Sequence, residues 1–254
     1  MKIYFAGVKT AYLKDLEPTD PILVSFANAN EKNVIDVCQN KDIILDSGAF
    51  TTWRSGRVIS DYTEPIKFYC DFIKSKAEKI AAAIAMDVIC GSAEDQLANL
   101  DLMLSNGIDK DVIWPVFHEG DDFELLNEYI LRGFQKIAIA GTVSRGKPEL
   151  IDFLYSVFSK TPSSDCVKYH GLAMTQQYVL RHMKKHFDSV DSTTWLGLAA
   201  YGLKGSSHLL KEKSINFYRK VGRLSLLDGG SDYSEFKKSD SNQLNLFDDL
   251  ELTA

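Results

Sequence analysis

The stretch Ile43-Ile44-Leu45-Asp46-Ser47-Gly48-Ala49-Phe50-Thr51 reads as a short buried strand that closes on an acid and then turns sharply at a glycine. A strand that exits on Asp46 leaves a carboxylate at its end. The same pattern returns in Ser189-Val190-Asp191-Ser192-Thr193-Thr194-Trp195, and Asp87 closes the apolar run from Ala81 to Met86. Each Asp-Ser taken alone is also what a loop or a helix N-cap looks like. Three strand-terminal aspartates together point to one shared pocket.

Outward from this stretch, apolar runs of strand length alternate with helix-length amphipathic segments. Strands are expected near Lys2 to Ala6, Ile22 to Phe26, Asp42 to Leu45, Ile80 to Met86, Val112 to Phe117, Lys136 to Ala140, Cys166 to Tyr169 and Ser189 to Val190. Helices are expected at Glu64 to Lys76, Ala93 to Ser105, Phe123 to Arg132, Pro148 to Phe158, Gln176 to Lys185 and Ser206 to Lys220, with a weaker signal for those nearer the N-terminus. Such alternation implies parallel pairing, and the fold class expected is α/β, a (β/α)8 TIM-like barrel over residues 1–227 followed by a flexible acidic tail over 228–254. An open doubly wound sheet is the alternative. It lacks support, because no Gly-x-Gly-x-x-Gly follows the first strand and no Gly-x-x-x-x-Gly-Lys-Ser/Thr occurs. In a barrel Asp46, Asp87, His118, Gly141, His170 and Asp191 would fall at or just past strand C-terminal ends, where barrel enzymes build their sites.

The composition is that of a globular protein: 254 residues, 45% hydrophobic and 25% charged. No apolar run approaches the roughly 20 residues of a membrane span, and the first residues lack the h-region of a signal peptide. A cytoplasmic protein is expected, with no membrane partner. Cys38, Cys70, Cys90 and Cys166 are too scattered for a metal knuckle or a disulfide framework. The net charge of −6 is unevenly spread: the tail from Asp228 carries −5, leaving −1 for the rest, and Tyr201 to Arg223 holds a local +5. Lys204, Lys211 and Lys213 in that basic segment are candidate phosphate contacts, with a solvated helix face as the alternative.

Two carboxylates in different environments can divide nucleophilic and acid/base work, and a third can read a ligand. An aspartate cluster could instead hold Mg²⁺. The neighbours Phe50, Trp53, Met86 and Trp195 are apolar or aromatic, which suits a flat base.

In these motifs and their order, from about Asp42 to Trp195, the chain resembles the tRNA-guanine transglycosylases, and within them the shorter phage-type 7-deazaguanine DNA transglycosylases. Leu45-Asp46-Ser47-Gly48-Ala49-Phe50 is similar to the family's Asp-Ser-Gly-Gly-aromatic signature, with alanine in place of the second glycine. The resemblance implies that Asp46 is the acid/base and that Phe50 stacks on the bound base. Ala85-Met86-Asp87 resembles the segment whose aspartate binds the amino edge of the heterocycle. Pro115-Val116-Phe117-His118-Glu119-Gly120 stands where the family has Gln-Gly, so His118 would contact the base. Ile139-Ala140-Gly141 and Tyr169-His170-Gly171-Leu172 resemble the glycine-bearing strand ends that line the pocket. Asp191 falls where the family carries its nucleophile. The implied reaction replaces guanine in DNA by a 7-deazaguanine derivative through a covalent aspartyl intermediate, without ATP, metal or other cofactor. The same exchange on tRNA is the alternative within enzymes, and an inert clamp-bound accessory protein is the alternative outside them. The family's Cys-x-Cys-x-x-Cys…His zinc site has no counterpart, since no cysteine follows Cys166.

In the tail, Gln243-Leu244-Asn245-Leu246-Phe247 resembles the Gln-Leu-x-Leu-Phe peptide that holds a bacterial-type sliding clamp. Docking of Leu244, Leu246 and Phe247 on the chain's own barrel is the other reading. Arg54 and Arg57, just past the Asp46 turn, are candidate nucleic-acid contacts or loop packing. Ser144-Arg145-Gly146-Lys147 reads as a helix start that could also cradle phosphate. His182 and His186, four apart, read as surface residues because no third metal ligand is evident.

Overall fold

The computed structural model describes residues 1–39, 42–141, 147–161, 167–193, 195–196, 215–216 and 219. Its strands are β1 Lys2–Ala6, β2 Ile22–Ser25, β3 Ile43–Asp46, β4 Ile80–Ile84, β5 Ile113–Trp114, β6 Val116–His118, β7 Lys136–Ala140, β8 Lys168–Leu172 and β9 Ser189–Ser192. The helices are α1 Ala29–Val37, α2 Ala49–Arg54, α3 Thr63–Ser75, α4 Ala93–Ser105, α5 Phe123–Leu131, α6 Lys147–Lys160 and α7 Gln177–Met183, with a 3-10 turn at Thr10–Asp15. Every strand pairing is parallel, in the order β5-β4-β3-β2-β1-β9-β8-β7-β6.

The two strands that end this order, β5 and β6, are separated in the chain only by Pro115. On one side of the proline the Trp114 carbonyl accepts the Ala85 N–H, and on the other the Pro115 carbonyl accepts the Ala138 N–H. The nine-stranded sheet is therefore curled until its edges meet, nearly closed into a barrel. Proline has no N–H for a ladder. That accounts for two short strands where the sequence predicts one from Val112 to Phe117.

Alternation along each strand sorts its side chains between two cores. Tyr4, Ala6, Leu23, Ile44, Ala82, Ile84, Trp114, Val116 and Ala138 fill the inside of the sheet. Ile3, Phe5, Ile22, Val24, Ile43, Leu45, Phe117, Ile137 and Ile139 face outward into the helical layer. Burial on both faces explains why the strands read as unbroken apolar runs. Two helix starts carry polar side-chain caps: Ser92 forms a reciprocal capping box with Asp95 at α4, and the Asp122 carboxylate accepts the Glu124 N–H at α5. Each such cap stabilises its helix by about 1 kcal/mol.

Four strands run further than the sequence predicts, β3 and β6 by one residue each, to Asp46 and His118, and the last two by more. The one expected at Cys166 to Tyr169 lies at Lys168–Leu172, and the one expected at Ser189 to Val190 continues to Ser192. His170 and Asp191 thus sit within strands rather than past them. Their polarity does not end the ladder, because they face inward and bond to each other. Ile215, Asn216 and Arg219 are helical, inside the span expected at Ser206 to Lys220, and Arg219 is committed to Asp20 and Glu17. Lys204, Lys211, Lys213, Cys166, residues 144–146 and the whole tail with Gln243, Leu244, Leu246 and Phe247 lie outside the described residues. Among the described residues no helix is long and apolar enough to cross a membrane.

Candidate active site

Asp46 is the last residue of β3, and the buried Tyr69 of α3 holds that strand end by donating its hydroxyl to the carbonyls of Leu45 and Ile84, both at 2.9 Å. Gly48 then turns the chain into α2 with φ +77°. A side chain there would be strained, and its Cβ would lie 2.3 Å from that of Ala27. Asp46 Oδ2 accepts the Gly48 N–H at 3.1 Å, so the carboxylate faces back over its own turn. It is not the helix cap that an isolated Asp-Ser suggests: Gly48 occupies that position without a side-chain bond. Burial first, then the negative fields of Asp87 and Asp191, push the Asp46 carboxyl up to about 7, against smaller opposing effects of Ser25 and the Gly48 N–H. One carboxyl feeling both of the others places all three in one field.

Asp87 lies past the end of β4 on a loop fastened from α4. Gln96 brackets Val88, accepting its N–H at 3.0 Å and donating to its carbonyl at 2.8 Å, and Asn99 donates to the Met86 carbonyl at 3.0 Å. The Asp87 carboxylate accepts His118 Nε2–H at 2.8 Å and lies 3.5 Å from the Ser47 hydroxyl. The other ring nitrogen of His118, Nδ1, is 3.3 Å from Asp121, whose carboxylate also accepts the His118 backbone N–H at 2.7 Å. Burial alone would lower the His118 ring, but hydrogen bonds to Asp121 and Asp87 and their charges outweigh it and raise it to about 9. At neutral pH His118 is an imidazolium donating from both nitrogens. Asp87 is therefore engaged with His118 through Oδ2, which leaves Oδ1 beside the Ser47 hydroxyl.

Asp191 sits in β9 beside Tyr4 of β1 and is 6% exposed. Its Oδ1 accepts the Ala173 N–H at 2.9 Å and lies 3.3 Å from His170 Nε2. His170 is buried in β8, edge-on to Tyr4 and tilted against Trp114, with Nδ1 2.8 Å from the Ser189 hydroxyl. Ser, His and Asp in series suggest a hydrolase triad, but the buried Ser189 lies on the side of His170 away from Asp191, one strand period deeper in the barrel. The series works as a brace for Asp191. Ala173 adopts φ 54°, a left-handed conformation that costs a non-glycine residue about 1 kcal/mol, and so aims its N–H at the carboxylate. Oδ2 of Asp191 accepts no hydrogen bond from any described residue.

The remaining expected residues fall in distinct places. Phe50 stands on α2, 58% exposed, with its ring tilted on that of Trp53. Gly141 and Gly171 turn toward the helical layer, where a Cβ would meet Leu150 and Met174, so only their backbones could line a pocket. Arg54 and Arg57 are exposed next to the Asp46 turn. His182 and His186 do not share a helix, because α7 ends at Met183; His186 instead stacks on Phe158 with ring centroids 4.7 Å apart. Among the described residues no group of three or more His, Cys, Asp and Glu is arranged to hold a metal ion.

Sequence reasoning passed over Asp121, Ser189, Ser47 and Ala173. Ser189 was within reach, since i, i+2 spacing puts it on the same strand face as Asp191. No known family model matches the chain, and no curated protein matches it either. What the residues themselves provide is a proton-carrying carboxyl near neutrality, a second carboxylate braced through one oxygen, and a fixed cationic histidine, all in one electrostatic neighbourhood.

Proposed function

We propose that this mouth exchanges guanine in DNA for a 7-deazaguanine derivative by double displacement. The observation that carries the reading is the division of environments between two carboxyls: Asp46 ionises near 7, while Asp191 is fixed by the Ala173 N–H and His170 with its Oδ2 open. Oδ2 of Asp191 attacks C1′ of the nucleotide, forming a glycosyl ester as the C1′–N bond to guanine breaks, and Asp46 hands its proton to the departing base. The 7-deazaguanine then attacks C1′, releases Asp191 and returns a proton to Asp46. Atoms and charge balance without a cofactor. Phe50 would stack on the base, and Asp87, held through Oδ2 by His118, would turn Oδ1 to the amino edge of the base.

The architecture is read as (β/α)8, with the chain on both sides of Pro115 counted as one strand. C1′ is inaccessible in stacked duplex, so the nucleotide must be flipped or unpaired. A clamp contact through Gln243, Leu244, Leu246 and Phe247 would tether such an enzyme to newly made DNA, and a bacterial cytoplasm would supply both partners. Nucleoside mass spectrometry of DNA and tRNA, each incubated with protein and candidate 7-deazaguanines, tests the reading. The modified nucleoside is expected in DNA. Its appearance only in tRNA would move the substrate, and its absence from both would reject the activity.

A further inference from the structure

We propose that the outer face of α2 and the loop after it, residues 50–58, form a platform for unpaired nucleotides, on which Trp53 stacks a base while Arg54 and Arg57 hold phosphates. The base-exchange reading is used here only for the choice of nucleic acid as partner. A surface helix ordinarily turns its apolar stripe to the core. α2 buries none of its residues. Phe50 and Trp53, three apart and hence on one helix face, are 58% and 50% exposed, and Val58 beyond them is 89% exposed. The two rings lie 5.9 Å apart with 33° between their planes, an open aromatic step of the kind successive bases stack on. Charge selects the occupant: from Ser47 to Ser60 the chain carries Arg54 and Arg57 and no acid, against −6 for the whole sequence. Neither arginine is in an ion pair among the described residues. Aromatic faces interleaved with unpaired guanidiniums fit a single strand, whose bases expose their faces, better than a duplex, whose bases hide them. The platform begins four residues after Asp46, so a strand lying on it would lead directly to the carboxylates.

Of the three tryptophans, Trp114 and Trp195 are buried at 3% and 0% exposure, so iodide-accessible emission reports Trp53. The full-length protein is titrated with a short single-stranded oligo(dT) and with a duplex of equal length. Single strand should quench this emission and bind more tightly than duplex. Trp53→Ala should weaken single-strand binding about fivefold or more, and Trp53→Phe should keep most of it. Joint replacement of Arg54 and Arg57 by alanine should flatten the log–log salt dependence by about 1.4, the contribution of two phosphate contacts on a single strand. Quenching absent, Trp53→Ala binding as tightly as wild type, or duplex preferred would each overturn the platform. If Trp53→Ala fails to fold, the Phe variant and the salt slope decide. Oligo(dT) has no guanine, so binding is read without turnover: the platform can fall while base exchange proceeds, and stand where exchange is absent.

Discussion

Replacing Asp46 by asparagine should make the protein more stable at neutral and alkaline pH while removing its chemistry. The carboxyl ionises near 3.8 when free and at about 7 in the fold, a difference that amounts to about 4 kcal/mol against the folded state once the group is fully charged. A folded pKa above the unfolded one means that the folded chain holds the proton longer. The penalty is therefore absent below about pH 4, grows as pH rises through the window between the two values, and is nearly complete at about pH 7 to 8. Asparagine keeps the shape and the Gly48 hydrogen bond without a charge to desolvate or to repel Asp87 and Asp191. Urea unfolding of both proteins from pH 4 to pH 8 should show curves that coincide at the acid end and separate by up to about 4 kcal/mol at the other. Equal stabilities across the range, or an asparagine variant less stable at pH 8, would refute the buried, repelled carboxyl on which the acid/base role depends.

Other consequences follow from the same geometry. His118→Gln should cost on the order of 3 kcal/mol at pH 6, because a ring raised from 6.5 to about 9 contributes stability that is whole below 6.5 and lost as pH climbs through 9; urea titrations in which the gap fails to narrow by pH 10 would reject the imidazolium. Ala173→Gly, which relieves a left-handed alanine, should raise stability by about 1 kcal/mol; a loss of that size in the same assay would mean that the conformation is not strained. Release of guanine in a single turnover should slow as pH rises above about 7, since that step needs Asp46 protonated; a rate that rises instead would place the acid elsewhere. A peptide covering residues 241–250 should bind a bacterial-type sliding clamp with micromolar affinity by calorimetry, and no heat of binding would remove the tether.

The barrel was legible because its strands are covered on both sides, so that Ile22 to Val24, Ile43 to Leu45 and Ile137 to Ile139 stand out as apolar runs between polar helix surfaces. Asp46 and Asp87 were legible because each interrupts such a run at its exit. Asp191 was found by the same grammar, although its strand continues through it. Other features depend on tertiary placement. Nothing local marks Pro115 as the meeting point of the sheet's edges, or Ala173 as left-handed, since the carboxylate its N–H meets, that of Asp191, belongs to another strand. His118 carried no sequence sign of its charge, because the two carboxylates that fix it come from different loops. Phe50 was expected against a base, and its exposure beside Trp53 belongs to a short helix that fully buries none of its residues.

The central claim is that Asp191 carries the nucleotide between the two halves of the exchange. Protein mixed with a guanine-containing oligonucleotide in the absence of a replacing base, denatured in acid and digested, should yield a peptide containing Asp191 with the nucleotide attached, and Asp191→Asn should yield none. A nucleotide found on Asp46, or guanine released with no adduct on either aspartate, would contradict the account.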